Sequence, residues 1–509
     1  MKPQTMPTPD AGTSIPVRQP RLLVSLFAAL ALGGCALNQG IFATLGPNYQ
    51  APTAPVTRWH APATGPGTPP VLAHGGSTEA LKNWWQQFDD PVLIELLGAA
   101  QRESASLAQA AARIERARAD AVAANVAGSP LLDATAGANR SAFSFGGPAV
   151  LRSQAQVGLQ STWEIDLFGG LARQREAARA QLESNLAAWH DARVALAAEV
   201  ATAYVNFRFC EMQVTLAEAD GASRAETARL TGIAAGAGLQ APATLALARA
   251  SAADGAAALA LRRTECELNI KGLVALTAIE EGGLRGRLGA APTLTARLPR
   301  PPRFAIDSVP AAALAQRPDV AVAERDLAVA SADIGVKEAD RYPRLTLAGN
   351  ITPTRSRLDG SPTISVRPWS IGPSLTLPLF DGNRRAANVD AARAQYGAAE
   401  AVFRARVRSA VREVEEALVR QAGVAERLNS TRAAAAGYRE SLEGARNRQR
   451  AGLGSLIELE DARRTSFAAD AAVAALEYEG VSAWIALYRA VGGGWDGKLD
   501  LAQKPARQP

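Results

Sequence analysis

Cysteine and histidine, two residue types that often form nucleophilic and metal sites, are rare in this 509-residue chain. The chain contains three cysteines and three histidines, and the histidines are scattered at His60, His74 and His190. The sequence has no G-x-S-x-G nucleophile motif, no phosphate-binding loop and no Cys/His spacing typical of a metal site. We therefore expect no enzyme activity, no cofactor and no metal site.

Two of the cysteines, Cys210 and Cys266, each lie about 28 residues from Gly238, on opposite sides of it. If the chain reverses at this glycine, an antiparallel helix pair brings the two cysteines to a similar height. An oxidising compartment would then allow a disulfide between them. The alternative is that both are small buried hydrophobic residues.

A pair of acidic residues follows a glycine-rich interruption in the segment "RQRAGLGSLIELEDARR", residues 448–464. Glu458 and Asp461 are three residues apart, which places their carboxylates on one face of a helix. Acidic residues are also favoured at any helix start by the positive end of the helix dipole, so the pair has an ordinary structural explanation. Gly452 and Gly454 predict a helix end and a reversal of the chain.

The third cysteine follows a short apolar segment near the N-terminus. Residues 22–32 are too short to span a bilayer as a helix, and they follow a basic stretch, as in a secretion signal. The sequence Leu32-Gly33-Gly34-Cys35 resembles the lipobox of bacterial lipoproteins, in which the cysteine carries the lipid. This resemblance implies a signal peptide at 1–34, lipidation of Cys35 and a lipidated arm at 35–90. The alternative is a chance cysteine after an ordinary signal peptide.

The composition favours long, closely packed helices. Hydrophobic residues make up 48% of the chain, many of them alanine, whereas aromatic residues make up only 5%. The net charge is +6, and the charges are mixed along the chain without a basic stripe, so we expect no nucleic-acid partner. No apolar run after the signal segment is long enough for a transmembrane helix, so a membrane crossing would require strands.

The chain contains one arrangement twice, with a period of a little over 210 residues. One matched pair of segments is "WEIDLFGGLARQREAARAQ" and "LTLPLFDGNRRAANVDAARAQ", and another is "AGLQAPATLALARA" and "AGLGSLIELEDARR". We interpret residues 91–290 and 310–495 as two copies of one domain. A Pro- and Arg-rich linker at 291–309 joins them, and a tail follows at 496–509.

The sequence of each copy predicts, in this order, a helix, two strands, a very long helix, a glycine turn and a return helix. The helices that precede the strands are expected at 91–127 and 310–339. The strand pairs occupy 132–167 and 345–380, and their intervening Gly/Ser/Pro-rich segments, 141–153 and 353–368, are predicted loops. The long helices are expected at 171–231 and 384–450, the turns near 236–242 and 451–456, and the return helices at 242–278 and 457–491. Each long helix would measure roughly 90 to 100 Å.

The predicted strands alternate between apolar and polar residues and are long enough to be tilted membrane strands. Four strands cannot close a barrel, because bacterial outer-membrane barrels have at least about eight. An open sheet edge in lipid leaves backbone groups unpaired. If the strands cross a membrane, the chain must therefore oligomerise: two copies supply eight strands, and three supply twelve and room for a channel.

Segments along nearly the whole mature chain resemble the TolC-like outer-membrane efflux channel family, and within it the lipoprotein branch that includes OprM. They are the lipobox at Cys35, "GPNYQAP", "WWQQFDDPVLIEL", "QRPDVAVAERDLAVASADIGVKEADRYPRLTL", "PLFDGNRR", "AGLGSLIELEDARR" and "LYRAVGGGW". The resemblance implies an α+β membrane protein with a duplicated repeat. Three copies would form a twelve-stranded β-barrel continuous with a long periplasmic α-barrel.

The resemblance also implies a function. Members are passive exit ducts of the outer membrane, and they extend into the periplasm, where an adaptor protein links them to an inner-membrane transporter. This chain would be such a homotrimeric duct, exporting small toxic compounds. The alternatives are a duct of the same fold that secretes protein, or a lipid-anchored periplasmic coiled-coil adaptor. An adaptor would have one helical hairpin inside a β-domain, not two copies that each follow a strand pair.

In the family, the helix turns meet the adaptor and close the periplasmic entrance. By resemblance, the residues that would dock the adaptor are Gly238, Leu239, Gly452, Leu453, Gly454 and Ser455. Glu458 and Asp461 match two aspartates that form carboxylate rings at the entrance. The first copy departs from this pattern, since Thr244 stands where some relatives carry an acid and Pro242 comes just before it. The acidic constriction would therefore rest on the second copy alone.

Overall fold

A computed structural model describes residues 42–52, 84–88, 90–144, 146–289, 297–299 and 317–495. The predicted signal peptide, Cys35, most of the predicted arm, most of the predicted linker and the predicted tail lie outside these residues. The chain divides into two compact units. A sheet unit contains the described residues up to 45, 128–172 and 338–381, and a helical unit contains the others.

The sheet unit is an antiparallel sheet. Its six strands are β1 (Leu131–Phe143), β2 (Val150–Ile165), β3 (Arg344–Ile351), β4 (Thr354–Leu358), β5 (Ile364–Val366) and β6 (Trp369–Thr376). The spatial order is β5-β4-β2-β3-β6, and β1 pairs with the other edge of β2. The first copy thus contributes the long hairpin β1–β2, and the second copy pairs with it through β3 and β4.

The prediction that residues 353–368 form a loop is wrong, because β4 and β5 lie in this segment. β2 has 16 residues, whereas β3 pairs only with its second half, from Leu159 to Ile165. The backbone groups of residues 152–156 pair instead with β4. The connection after β4 contains Gly360, whose φ of +76° is typical of a turn.

The register of the strands separates an apolar face from a polar face. Cross-strand partners point to the same side of a sheet, and successive residues alternate. The apolar face carries Leu132, Ala134, Ala136, Val157, Leu159, Leu347, Ile351, Trp369, Ile371 and Leu375. The polar face carries Asp133, Thr135, Asn139, Gln154, Gln156, Gln160, Glu164, Thr346, Asn350, Ser370 and Ser374.

The helical unit is built on two long hairpins. After a short 3-10 helix (Trp84–Phe88), its helices are α1 (Pro91–Glu103), α2 (Ala105–Val126), α3 (Gly170–Gly236), α4 (Pro242–Thr277), α5 (Glu281–Gly289), α6 (Pro318–Ala339), α7 (Arg384–Arg450) and α8 (Leu456–Ala490). α3 and α7 have 67 residues each, which corresponds to about 100 Å. No helix in the described part of the chain is long and apolar enough to cross a membrane.

The first helix differs from its prediction because residues 91–127 form two helices. Ser104 has extended backbone angles, φ −69° and ψ 114°, and therefore ends α1. Its hydroxyl accepts a hydrogen bond from the backbone N–H of Leu107 and so caps α2. In the second copy, residues 310–316 lie outside the described residues, and α6 begins at Pro318.

The main core of the helical unit joins the two copies. Trp84 and Phe88 pack against Trp484 of α8, with ring centroids 4.1 Å and 4.4 Å apart. Asp90 caps α1 by accepting from the N–H groups of its first turn, and its other oxygen accepts the hydroxyl proton of Tyr204 on α3 at 2.6 Å. Along α7 the buried residues follow coiled-coil spacing, at Phe403, Val407, Ala410, Val414 and Ala417.

Candidate functional site at the helix turns

The two hairpins reverse through the same backbone turn. In the first, the N–H of Leu239 donates to the carbonyl of Ala234 at 2.8 Å, and Gly238 has a φ of +77°. In the second, the N–H of Leu453 donates to the carbonyl of Arg448 at 2.8 Å, and Gly452 has a φ of +73°. This is the Schellman ending of a helix, and its left-handed position favours glycine.

Each turn presents a leucine directly after its glycine. Leu239 is 77% exposed and Leu453 is 80% exposed. Only in the second copy does another glycine, Gly454, follow this leucine. A Cβ atom added at Gly454 would lie 3.2 Å from the Cβ of Arg448, so the chain passes close to the end of α7 here. The duplication therefore presents two equivalent apolar side chains at the ends of the hairpins.

The two predicted gate residues both lie exposed at the start of α8. Glu458 forms a capping box: its N–H donates to the hydroxyl of Ser455 at 3.1 Å, and its carboxylate accepts the N–H of Ser455 at 3.3 Å. The carboxylate of Asp461 lies 3.4 Å from the guanidinium of Arg464, and both side chains are largely exposed. The ordinary explanation, an acid that stabilises a helix start, therefore applies to Glu458.

The first copy begins its return helix without such a cap. Ala241 precedes α4 and makes no side-chain hydrogen bond, while Pro242 occupies the first turn, where its missing N–H costs nothing. Thr244 stands at the position of Glu458. The acid in the second copy thus accompanies a capping box that the first copy lacks.

A buried ion pair near the second turn is not among the residues selected from the sequence. Glu460 is 7% exposed and Arg463 is 4% exposed, and their side chains are paired. The carboxylate of Glu460 accepts the hydroxyl proton of Ser251 on α4 at 2.9 Å, and Arg463 donates to the hydroxyl of Thr227 on α3 at 2.8 Å. This pair therefore joins the second hairpin to the first.

Further polar contacts extend this connection. Arg224 of α3 donates to Asp220 at 2.7 Å and to Ser251 at 3.1 Å, and Arg446 of α7 donates to Ser223 at 3.3 Å. We call this set the tip network: Asp220, Ser223, Arg224, Thr227, Ser251, Arg446, Glu460 and Arg463. Buried charges are favourable only when well paired, so the network stabilises one particular arrangement of the four helices.

The structure joins Cys210 of α3 and Cys266 of α4 by a disulfide, with their Cα atoms 5.5 Å apart. Cys210 is buried. The bond crosses the first hairpin far from its turn and closes a loop with a sequence separation of 56 residues. The second hairpin contains no cysteine at all.

We predict that peptide mapping of the unreduced protein will recover the peptides containing Cys210 and Cys266 as one linked species. Loop-closure entropy gives about 4 kcal/mol of stabilisation for a loop of this length, so a C210A/C266A variant should have a lower Tm. Two free thiols in protein isolated without reductant would contradict the bond.

A charged cluster lies farther from the turns, in the helical unit. Around a cavity of about 60 Å³ are three carboxylates and three guanidinium groups, those of Asp191, Asp319, Glu413, Arg317, Arg406 and Arg489. Burial raises the pKa of the Asp191 carboxyl, and the nearby charge of Asp319 raises it further. Opposite charges balance here, which indicates a structural connection between α3, α6, α7 and α8. No group of residues in the described part of the chain could hold a metal ion.

Comparisons with known proteins give a consistent result. The family model described as "outer membrane efflux protein" matches residues 96–278 and 309–493, which are the two copies. The chain is 30% identical to outer membrane protein OprJ of Pseudomonas aeruginosa, over 94% of this chain and 97% of OprJ. It is 29% identical to solvent efflux pump outer membrane protein SrpC of Pseudomonas putida, over 92% and 97%.

Solved structures show the same similarity. The structure of the outer-membrane channel OprN has a TM-score of 0.79 and 30% identity, covering 89% of this chain and all of that one. The open state of the MtrE outer membrane channel of Neisseria gonorrhoeae has a TM-score of 0.76 and 26% identity, covering 89% and 99%. Both the sheet and the hairpins therefore have counterparts in outer-membrane channels.

Proposed function

The chain belongs to the outer membrane efflux protein family, and we propose that it is the passive outer-membrane exit duct of a tripartite efflux pump, exporting small toxic compounds. The observation that carries this proposal is the duplication itself. Each copy combines strands that have an exposed apolar face with a hairpin of about 100 Å, and the family model matches both copies. In this proposal the chain forms the wall of the duct, and its partners supply the energy for export.

The duct is proposed to be a homotrimer. Among the described strands, β1, β5 and β6 each pair along one edge only. An unpaired edge is costly in lipid, and β1 with its 13 residues offers a long edge. Pairing of β1 in one subunit with β5 and β6 in the next satisfies these edges and closes the sheet around a lumen lined by the polar face. Lipidation at Cys35 would add a second anchor in the outer membrane.

The hairpin turns are proposed to dock the periplasmic adaptor. Leu239 and Leu453 supply exposed apolar side chains, and the glycines fix the turns that present them. Glu458 and Asp461 are proposed to narrow the entrance, because threefold symmetry repeats each carboxylate around the axis and such rings favour cations. The inner-membrane transporter completes the pump and selects its substrates.

A deletion strain tests the function. Removing the gene from its host should lower the inhibitory concentrations of several compounds at least fourfold in a panel of drugs, dyes and organic solvents such as toluene, because the pump loses its exit. The full chain supplied on a plasmid should restore them, with outer-membrane fractionation as the control for localisation. Unchanged susceptibility together with loss of a secreted protein would contradict the proposal and favour a protein-secretion duct.

A further inference from the structure

We propose that Arg140, Arg355 and Arg357 form a binding site for the phosphate groups of an outer-leaflet lipid, such as the lipid A part of lipopolysaccharide. The inference rests on the proposed function in one respect, because that function places the sheet in the outer membrane. The other support for the inference comes from the strand register, from the charge on one face of the sheet and from a cavity.

The register places the three arginines on one face. Arg140 of β1 and Arg357 of β4 both pair with Ser153 of β2, from its two sides. Two residues along, Arg355 pairs with Ala155, which also pairs with Ala138. Since cross-strand partners share a face, the guanidinium groups extend from the same side of β1 and β4, which lie on either side of β2.

That side is the apolar face, and the arginines lie at one end of it. β1 carries small and apolar residues from Leu132 to Ala138 at alternate positions before Arg140. The eight residue-to-residue steps from Leu132 to Arg140 span about 26 Å, which is close to the apolar band of about 25 Å of outer-membrane strands. On the same face, Trp369 lies three rows from Arg140 toward the centre of the sheet and is 71% exposed. No acidic residue of the described strands lies on this face.

A cavity of about 470 Å³ lies between the arginines, and its lining includes Ser153 and Thr363. No described residue forms an ion pair or hydrogen bond with the three guanidinium groups, which are exposed. Arg152 provides a contrast at nearly the same height on the polar face, where its Nε donates to the hydroxyl of Ser356 at 3.2 Å. The three arginines therefore have their donors available for a ligand.

The chemistry of the site matches a phosphorylated lipid. The planar guanidinium binds phosphate oxygens in a two-pronged manner and stays charged at any physiological pH. Basic residues directly beside an apolar membrane surface are typical of sites for anionic headgroups, because the acyl chains cover the apolar face while the phosphates reach the cations. A site for a free anion would have no need of the adjoining apolar band.

Native mass spectrometry of the detergent-purified full-length protein tests the inference. The probes are diphosphorylated lipid A, its monophosphorylated form and a fully dephosphorylated form with the same acyl chains. We expect the wild-type protein to retain the diphosphorylated lipid best, and an R140Q/R355Q/R357Q variant to bind it at least tenfold more weakly. For a matched single change, R357Q should weaken binding, whereas R152Q on the opposite face should not. The same spectra report whether each variant keeps its oligomeric state.

Three results would overturn the inference: equal retention of the dephosphorylated lipid, equal binding by the triple variant, or displacement of the lipid by millimolar inorganic phosphate, which would indicate a free-anion site. The measurement needs no working pump. A chain that binds lipid A through these arginines but fails to restore drug resistance would contradict the proposed function alone. A chain that restores resistance without phosphate-dependent binding would contradict only this inference.

Discussion

Replacing both Leu239 and Leu453 with serine is expected to abolish export while leaving the protein in the outer membrane. The two side chains are exposed at equivalent turns, so neither contributes to the core of its own hairpin. Burial of a leucine in an interface is worth about 1.5 to 3 kcal/mol, so the double change should weaken adaptor binding at least a hundredfold. The susceptibility panel and cross-linking to the adaptor in cells measure this loss.

The matched control is the L239M/L453M variant, which keeps both side chains apolar and should retain export. Each single serine variant should have an intermediate effect, because both copies present the same turn. If the double serine variant exports normally and cross-links to the adaptor as the wild type does, the leucines are not the docking residues.

Replacing Arg463 with methionine is expected to loosen the hairpin ends and make the outer membrane leaky. The change removes the ion-pair partner of the buried Glu460 carboxylate, which keeps the hydrogen bond from Ser251. Breaking a buried ion pair in this way costs about 3 to 5 kcal/mol, and here it also removes the hydrogen bond that α8 donates to Thr227 of α3. Hydrogen exchange should accelerate in residues 223–231 and 456–466, and cells should become at least tenfold more susceptible to a large polar antibiotic that the outer membrane normally excludes.

Arg464 provides the control, because it is one position away, 72% exposed and paired with Asp461 in solvent. An R464M variant should behave as the wild type, since exposed ion pairs contribute less than about 1 kcal/mol. Adding E460Q to R463M should reverse much of the leak by removing the unpaired charge. Unchanged hydrogen exchange in R463M would show that the tip network does not hold the hairpins together.

The features that the sequence predicts well are those set by neighbouring residues. Helix α7 begins and ends where it was predicted, because no proline interrupts it and Gly452 terminates it. The two turns could be found because the same Ala-Gly-Leu sequence occurs at both. The family membership and the outer-membrane location also followed from local segments whose order along the chain is specific.

The features that were missed depend on partners far away in the sequence. The strand β4 forms because residues 152–156 need a partner, and these lie about 200 residues earlier in the chain. Glu460 is buried because Ser251 and Arg463 satisfy its carboxylate, whereas Asp461, the next residue along α8, faces solvent. Sequence spacing identified the exposed acids as candidates, but it contained no information on which helix face would meet the other hairpin.

Whether this chain forms a duct is tested most directly by the single-channel conductance of the purified full-length protein in a planar bilayer without nucleotide or partner proteins. A passive duct narrowed at its periplasmic end predicts stable channels of low conductance that favour cations. The R463M variant should open to a larger conductance, and E458Q/D461N should lose the cation preference. Failure of the wild type and of R463M to conduct, in preparations whose native mass shows the assembled oligomer, would contradict the claim that this chain forms a duct.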